Sequence, residues 1–310
     1  MKIYISGSLA YDRIMDFPGK FSDHILPDKI HILNVCFTVN GMIEKFGGTA
    51  GNIAYSLGLL RERPVVLATI GKDYRGYFEW LEKNLIPVEG IKIIDNEFTA
   101  GAYITTDKAD NQITGFNPGA MKHPSGYVFT DPAAGESIGL VAAGNLQDMV
   151  DYAVHFRRNG TPYICDPGQS LTAWDGKALA EWINGSLILI TNDYELELIM
   201  KMTGMDKQGL LSLTGSVITT LGEKGSIIST QASDTHIAAV KITEVVDPTG
   251  AGDAYRAGLL KGIVAGKGLA TAAKMGAVSA AYAIGKYGTQ EHHFTFEDFV
   301  HRYRDNFGEL

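Results

Sequence analysis

The stretch Val245-Val246-Asp247-Pro248-Thr249-Gly250-Ala251-Gly252-Asp253-Ala254-Tyr255-Arg256-Ala257-Gly258 concentrates residues suited to phosphate chemistry. Pro248 ends an extended run. Gly250 and Gly252 have no Cβ, so consecutive amides there can turn toward a bound group. The pattern predicts a helix from about Ala251, and the unpaired N–H groups of a helix N-terminus hold anions. Asp253 falls in the first turn, beside such an anion. A carboxylate at that point can take the proton of a hydroxyl attacking a phosphoryl group while the amides stabilise the developing charge. The plainer alternative is a tight glycine turn with Asp253 as a helix cap.

A site of this kind needs a scaffold, and the rest of the chain supplies one. Ile3–Ser6, Pro64–Ile70, Ile138–Ala143, Pro162–Asp166 and Ser186–Thr191 are short apolar runs bounded by Gly, Pro, Asn or Asp, and they read as buried strands. Between them fall helix patterns at Thr49–Leu60, Tyr74–Leu85, Asn145–Arg158, Leu171–Ile183 and Tyr194–Met202. This alternation predicts an α/β fold, a Rossmann-like αβα sandwich whose mostly parallel central sheet is covered on both faces. Ser216–Leu221, Ser226–Thr230 and His236–Val240 form a closely spaced meander. Two Ala/Gly-rich helices follow, at about Ala251–Ala265 and Leu269–Ile284, and then a terminal helix near Thr295–Tyr303. Residues 13–46 and 97–122 break the rhythm. Their alternation, and the apolar stretch Ile30–Val39, read as antiparallel strands outside the main sheet, a small β-lid over the strand ends where open α/β folds bind ligands. No linker divides residues 1–310, so a single domain is expected.

Composition narrows the function classes. Lys and Arg number 27 against 35 Asp and Glu, a net charge of −8 at pH 7, which does not suit nucleic-acid or anionic-membrane partners. No apolar run approaches the roughly 18–20 residues of a membrane span. The opening Met-Lys-Ile-Tyr-Ile-Ser-Gly reads as a strand rather than a leader, and a cytoplasmic location is expected. Cys36 and Cys165 are too few for a disulfide framework and read as packing residues. Glycines number 36, about 12% against a typical value of roughly 7%, clustered beside strand-like runs. Adjacent His292 and His293 read as surface residues rather than metal ligands. Gly262–Gly268 lacks phosphate-loop spacing and reads as a turn between helices.

Asp247-Pro-Thr-Gly-Ala-Gly-Asp-Ala-Tyr-Arg-Ala-Gly resembles the C-terminal signature of the ribokinase-like, or PfkB, carbohydrate kinases. Gly47-Gly48-Thr49-Ala50-Gly51-Asn52-Ile53-Ala54 resembles their N-terminal signature, Asn192-Asp193-Tyr194-Glu195 their Asn-x-x-Glu motif, and Thr220-Leu221-Gly222-Glu223-Lys224-Gly225 their nucleotide loop. These four stretches come in the family's order along nearly the whole chain. The resemblance implies an αβα core with a β-lid and an ATP-dependent kinase. It makes Asp253 the catalytic base and the amides of Gly250, Ala251 and Gly252 the anion hole. Asp12, at the end of the first strand, would grip sugar hydroxyls with Gly48 and Asn52. Thr220, Gly222 and Gly225, with Asn192, would line the ATP site. Asn192 and Glu195 would organise Mg²⁺ through water; a solvated helix residue is the plainer reading of Glu195. Asp247 and Thr249 would offer oxygens to a monovalent cation such as K⁺.

Three further stretches resemble the family's bacterial nucleoside and adenosine kinase branch: Gly7-Ser-Leu-Ala-Tyr-Asp-Arg-Ile-Met, His24-Ile-Leu-Pro-Asp and Asn111-Gln-Ile-Thr-Gly-Phe-Asn-Pro-Gly-Ala-Met. The ending Gly288-Thr-Gln-Glu-His-His-Phe fits the same branch. The implied acceptor is the 5′-hydroxyl of a ribonucleoside, adenosine first. Phe37, Phe116 and Met121 are candidates to pack against the base, with lid core as the alternative for each. Gly51 and Gly115 are expected to widen the pocket. A free-sugar kinase of the ribokinase or fructokinase type is the enzyme alternative, and an idle nucleotide-binding sensor the non-enzyme one. An exposed strand edge on the lid could pair with a second copy in a homodimer.

Overall fold

The computed structural model describes all residues except 110 and 131–134. Thirteen strands and nine α-helices alternate among the described residues. The strands are β1 (Lys2–Ser6), β2 (Ala10–Asp16), β3 (Met42–Gly47), β4 (Val65–Gly71), β5 (Ile91–Ile94), β6 (Ala100–Thr106), β7 (Gln112–Asn117), β8 (Ser137–Val141), β9 (Tyr163–Cys165), β10 (Ile188–Asn192), β11 (Ser216–Thr220), β12 (Ser226–Ser229) and β13 (Asp234–Ile237). The helices are α1 (Thr49–Leu59), α2 (Arg75–Lys83), α3 (Leu146–Arg158), α4 (Gly176–Ile183), α5 (Asp193–Thr203), α6 (Lys207–Leu211), α7 (Ala251–Val264), α8 (Leu269–Ala283) and α9 (Phe296–Phe307).

Nine strands form the main sheet in the order β13-β12-β11-β10-β9-β8-β1-β4-β5. All the pairings from β11 to β5 are parallel, and β12 runs antiparallel to both of its neighbours. Strands β4 and β8 are buried at every position, as strands covered on both faces must be. Alternate side chains sort the core into two layers. Ile3 and Ile5 pack with residues of α1, α2, α7, α8 and α9, whereas Tyr4 between them packs with residues of α3, α4, α5 and α6. Helices α7 and α8 approach closely because their facing positions are small: a Cβ on Gly258 would stand 2.4 Å from the Met275 carbonyl oxygen. No helix among the described residues is long and apolar enough to cross a membrane.

The second sheet has four strands in the order β3-β2-β6-β7. It draws on the two segments read as lid strands, but its first two strands reach beyond them, starting at Ala10 and ending at Gly47. Its centre corrects the sequence expectation, because β2 and β6 pair in parallel over seven positions while the outer strands pair antiparallel. The stretch Ile30–Val39 joins no strand; Pro27 starts a 3-10 turn that runs to Ile32. The helix expected from Leu171 begins instead at Gly176, since Asp175 Oδ1 accepts the amides of Lys177 (3.0 Å) and Ala178 (2.9 Å) and so fixes the start. Strand β5 and helix α6 went unread, and the last meander strand lies slightly earlier than expected.

Candidate active site

Helix α7 begins where the glycine-rich stretch ends. Gly250 is its N-cap, with φ 77°, a conformation strained for any residue bearing a Cβ. A Cβ there would also press on the Thr289 side chain at 3.0 Å. The Ala251 N–H, one of the expected anion-hole donors, turns back to the Pro248 carbonyl at 3.2 Å. Helix geometry leaves the N–H groups of Gly252 and Asp253 without an intrahelical acceptor, and these are the free donors of the first turn. Ala251 and Gly252 open on a cavity of 640 Å³ that Thr220, Gly222, Gly225 and Pro248 also line. Glycine-rich helix start and β11–β12 loop therefore face one space.

Asp253 sits in the first turn of α7 with partial solvent access. Desolvation pushes its pKa up to about 6, with the Arg256 charge and the hydrogen bond from Asn52 pulling the other way. Asn52, 5% exposed on α1, donates Nδ2 to Asp253 Oδ2 at 2.8 Å. Its Oδ1 accepts from Gln290 Nε2 at 3.0 Å, which fixes the orientation of the amide. Gln290 in turn accepts from Trp80 Nε1 at 2.8 Å and bonds the Tyr77 hydroxyl at 2.9 Å. The Tyr77 hydroxyl donates to the Gly47 carbonyl at 2.7 Å. Residues 47 and 52 of the first glycine-rich stretch are thus tied to Asp253, 201 positions from Asn52 in sequence, through a buried polar chain. Gly51 is required by this chain, because a Cβ there would stand 2.0 Å from the Tyr77 hydroxyl. The expectation that Gly51 widens the pocket is corrected: Tyr77 fills the space.

A second buried cluster lies one helical turn on. Arg256 pairs with Asp166 at the end of β9: Nη2 donates to Oδ1 at 2.6 Å, and Nε lies against Oδ2 without a hydrogen bond. Asn192 and Glu195 form a reciprocal capping box at the start of α5: Glu195 N–H donates to Asn192 Oδ1 at 2.7 Å, and Asn192 N–H donates to Glu195 Oε2 at 2.8 Å. Glu195 is half-buried rather than solvated. Its pKa is raised by burial and by Asp166, against the bond from the Asn192 amide and the Arg256 charge. Its Oε1 is left outside the box. No group of three or more His, Cys, Asp or Glu able to hold a metal exists among the described residues.

Asp12 lies on β2, in the small sheet, rather than at the end of β1. Its register partners are Lys45 and Ala102, and Ala102 pairs with Phe116, so all four share a row and a face. The Asp12 carboxyl lies against Gly47, where a Cβ would stand 2.6 Å from Oδ2. Burial and the Asp247 charge raise its pKa. Gly48, with φ 89°, caps α1 beside it. Phe116 is 54% exposed. Phe37 packs on Phe17 and Phe21, with ring centroids 4.8 and 5.0 Å away, and so takes the lid-core position weighed for it. Met121 sits in a 3-10 turn whose carbonyl accepts from Asn145 at 2.9 Å. Asp247 binds the amides of Thr249 (2.9 Å) and Gly288 (3.0 Å); these bonds hold its pKa down despite burial. Lys45 donates to the Tyr287 carbonyl at 2.8 Å and Thr289 to the Phe46 carbonyl at 3.1 Å, so the 287–290 loop clamps β3.

Sequence reasoning missed Gln290, Tyr77, Asp166 and Arg256. Arg256 had a readable signal, being three residues after Asp253 and therefore on the same helix face. Of the two histidines expected at the surface, His292 is buried. Its Nε2 lies 3.2 Å from Ser56 Oγ, and desolvation lowers its pKa to about 4. Cys36 is exposed and not a packing residue, while Cys165 is buried.

Comparison with known proteins bears on the family and the fold. The pfkB family carbohydrate kinase profile matches residues 23–294. A nucleoside kinase of Methanocaldococcus jannaschii is 32% identical over 271 residues, 87% of this chain and 89% of that one. The Burkholderia thailandensis nucleoside kinase in complex with inosine superposes with a TM-score of 0.86 at 36% identity, covering 99% of this chain and 98% of its own. Its complex with ADP-inosine gives 0.84 at 37% identity, covering 99% and 96%. With the profile spanning most of the sequence and the ordered glycine-rich stretches meeting around Asp253, the chain belongs to the PfkB family of carbohydrate kinases and is a kinase.

Proposed function

We propose that this kinase transfers the γ-phosphoryl group of ATP to the 5′-hydroxyl of a ribonucleoside, with adenosine the first acceptor to test. The observation that carries the reading is the Asp253 carboxylate, held by Asn52 at 2.8 Å with its pKa near 6, beside the free amides of the α7 N-terminus. Oδ2 is occupied by Asn52, and Oδ1 is left to take the acceptor proton. As that proton moves to Asp253, the acceptor oxygen bonds to the γ-phosphorus. The bond from the same phosphorus to the bridging oxygen breaks, and its electron pair leaves with ADP. The amides of Gly252 and Asp253 face the charge that develops on the transferred group, where preorganised donors are worth most. Thr220, Gly222 and Gly225 line the nucleotide side of the cavity.

Asp12 on the inner strand β2 and Gly48 at the start of α1 serve the ribose hydroxyls, and Phe116 on the Asp12 row offers an exposed ring to a base. A lid role for this sheet is part of the proposal: bound nucleoside bridges Asp12 and Asp253, closes the cleft and excludes water from ATP. The nucleoside preference is supported by the relatives that match over most of their length, two of whose structures hold inosine or ADP-inosine.

Mg²⁺ suits the donor set. Glu195 has one carboxylate oxygen outside its capping box, and Mg²⁺ is held by one or two carboxylates together with waters and phosphates. Glu195, with Asn192 orienting it, would hold the ion through water, and the ion would supply charge neutralisation on the phosphates. Asp247 and Thr249 would serve K⁺. The test is ADP release measured separately with adenosine, inosine, guanosine, cytidine, ribose and fructose. Turnover with nucleosides supports the reading and ranks the bases. Turnover with free sugars alone moves the acceptor to the sugar class, and no turnover with any of them favours a sensor.

A further inference from the structure

Arg256 is 7% exposed, and its guanidinium is only partly committed. Nη2 donates to Asp166 Oδ1 and Nε lies against Oδ2 as an ion pair without a hydrogen bond, and Nη1 bonds to no described residue. That nitrogen lies against the backbone of the α7 first turn: a Cβ on Gly252 would stand 2.6 Å from it. Gly252 itself lines the cavity that opens onto the nucleotide loop. The absent Cβ therefore does more than free an amide. It makes room for a cationic N–H edge beside the anion-binding turn, next to the Asp253 carboxylate one turn earlier on the same face. An Arg paired with a buried carboxylate through Nη2, and whose Nη1 lies beside the glycine of a helix N-terminal turn, is placed to meet phosphoryl oxygens.

We propose that Arg256 is a further catalytic residue, donating Nη1–H to an equatorial oxygen of the phosphoryl group as it passes from ADP to the acceptor hydroxyl, with Asp166 as its positioning residue. The inference rests on the phosphoryl-transfer reading above. No additional reactant enters: the bond made, the bond broken and the proton taken by Asp253 are those already described, and Arg256 stays protonated throughout. Burial works against the guanidinium charge, but the carboxylates of Asp166, Asp253 and half-buried Glu195 outweigh it and hold Arg256 protonated.

The experiment uses the full chain with ATP, Mg²⁺ and inosine. Arg256→Lys keeps a cation opposite Asp166 but loses the free edge. The expected result is a kcat lower by roughly 10²–10³-fold with KM for inosine changed less than about threefold, the size of a lost preorganised donor. Binding gives the readout a purely structural role would not move. Affinity for ADP with aluminium fluoride and inosine, which mimics the transferring group, falls in parallel with kcat, while affinity for ADP and inosine alone is kept. Equal losses in both complexes, or unchanged kcat, overturn the proposal. Should Arg256→Lys not fold by thermal melt, Asp166→Asn weakens the ion pair while leaving Arg256 in place. It is expected to lower kcat about tenfold with the same selective loss for the fluoride complex, and unchanged kcat there also overturns it. Failure of the wild-type enzyme to turn over inosine while it phosphorylates ribose sinks the nucleoside reading and leaves Arg256 to be judged with ribose as acceptor.

Discussion

Asp253→Asn separates catalysis from stability in opposite directions. The substitution keeps shape and keeps an acceptor for Asn52 Nδ2, but removes the charge and the base. Loss of a positioned general base costs about 10²–10⁴ in rate. The stability effect follows from the raised pKa. An ordinary aspartate near 3.8 moved to about 6 by burial corresponds to about 3 kcal/mol against the ionised form, which the carboxyl's partial solvent access trims to about 1–3 kcal/mol. A carboxyl whose folded pKa is raised stabilises the fold below its unfolded pKa, and that contribution is lost as pH rises through the folded value. The wild-type protein therefore bears the penalty above about pH 6, and the Asn variant does not. Urea unfolding at pH 8 should find the variant more stable by about 1–3 kcal/mol, and the difference should shrink toward zero near pH 4. Rapid-quench ADP release at pH 8 should find it nearly inactive. A variant that is less stable at pH 8, or one that keeps its rate, refutes the assignment of Asp253 as a strained, functional carboxylate.

The other expectations follow from the same contacts. In the wild type, kcat/KM should fall as pH drops through about 6, because the base must be ionised; Asn52→Leu removes the hydrogen bond that holds the value down and should move this limb upward, among neighbours Arg256, Asp166 and Glu195 that stay in place. An acid limb unmoved in Asn52→Leu would contradict the network. Asp12→Asn should raise the acceptor KM by about 10-fold with a smaller change in kcat, the signature of a lost charge-assisted hydrogen bond in binding, read from initial rates at saturating ATP. Chelation by EDTA should abolish turnover, and Mg²⁺ should restore it, while inosine binding measured calorimetrically stays intact; turnover that survives EDTA counts against a metal-assisted phosphate site. Replacing K⁺ with tetramethylammonium should slow turnover if Asp247 and Thr249 serve a cation, and an unchanged rate removes that role.

Much of the scaffold was legible because its signals are local. Runs such as Val65–Gly71 are apolar at almost every position and can only be strands buried on both faces, so the parallel sheet followed. The Gly250–Asp253 turn was legible for the same reason, since a glycine at φ 77° followed by a first-turn carboxylate is written in adjacent residues. What could not be read were contacts between distant segments. Gln290 meets Asn52 across 238 positions, and Arg256 meets Asp166 across 90. Nothing in either residue's neighbours announces its partner. The parallel pairing of β2 with β6 was missed because alternation gives a strand's faces but not its direction. Leu171–Ile183 misled because its apolar spacing runs through a 3-10 turn, and Asp175, the cap that starts the helix, sits inside the pattern. Tyr77 overturned the expectation for Gly51 because small residues permit either open space or a buried neighbour, and only the packing decides.

The central claim is that the acceptor is a nucleoside hydroxyl deprotonated by Asp253. It is tested most directly by competition in one tube: equimolar inosine and ribose with limiting ATP and Mg²⁺, the products resolved by mass and by phosphorus–proton correlation. The account predicts inosine 5′-monophosphate as the main product, with neither product formed by Asp253→Asn. Ribose 5-phosphate as the main product, or an inosine phosphate made equally well by Asp253→Asn, would contradict it.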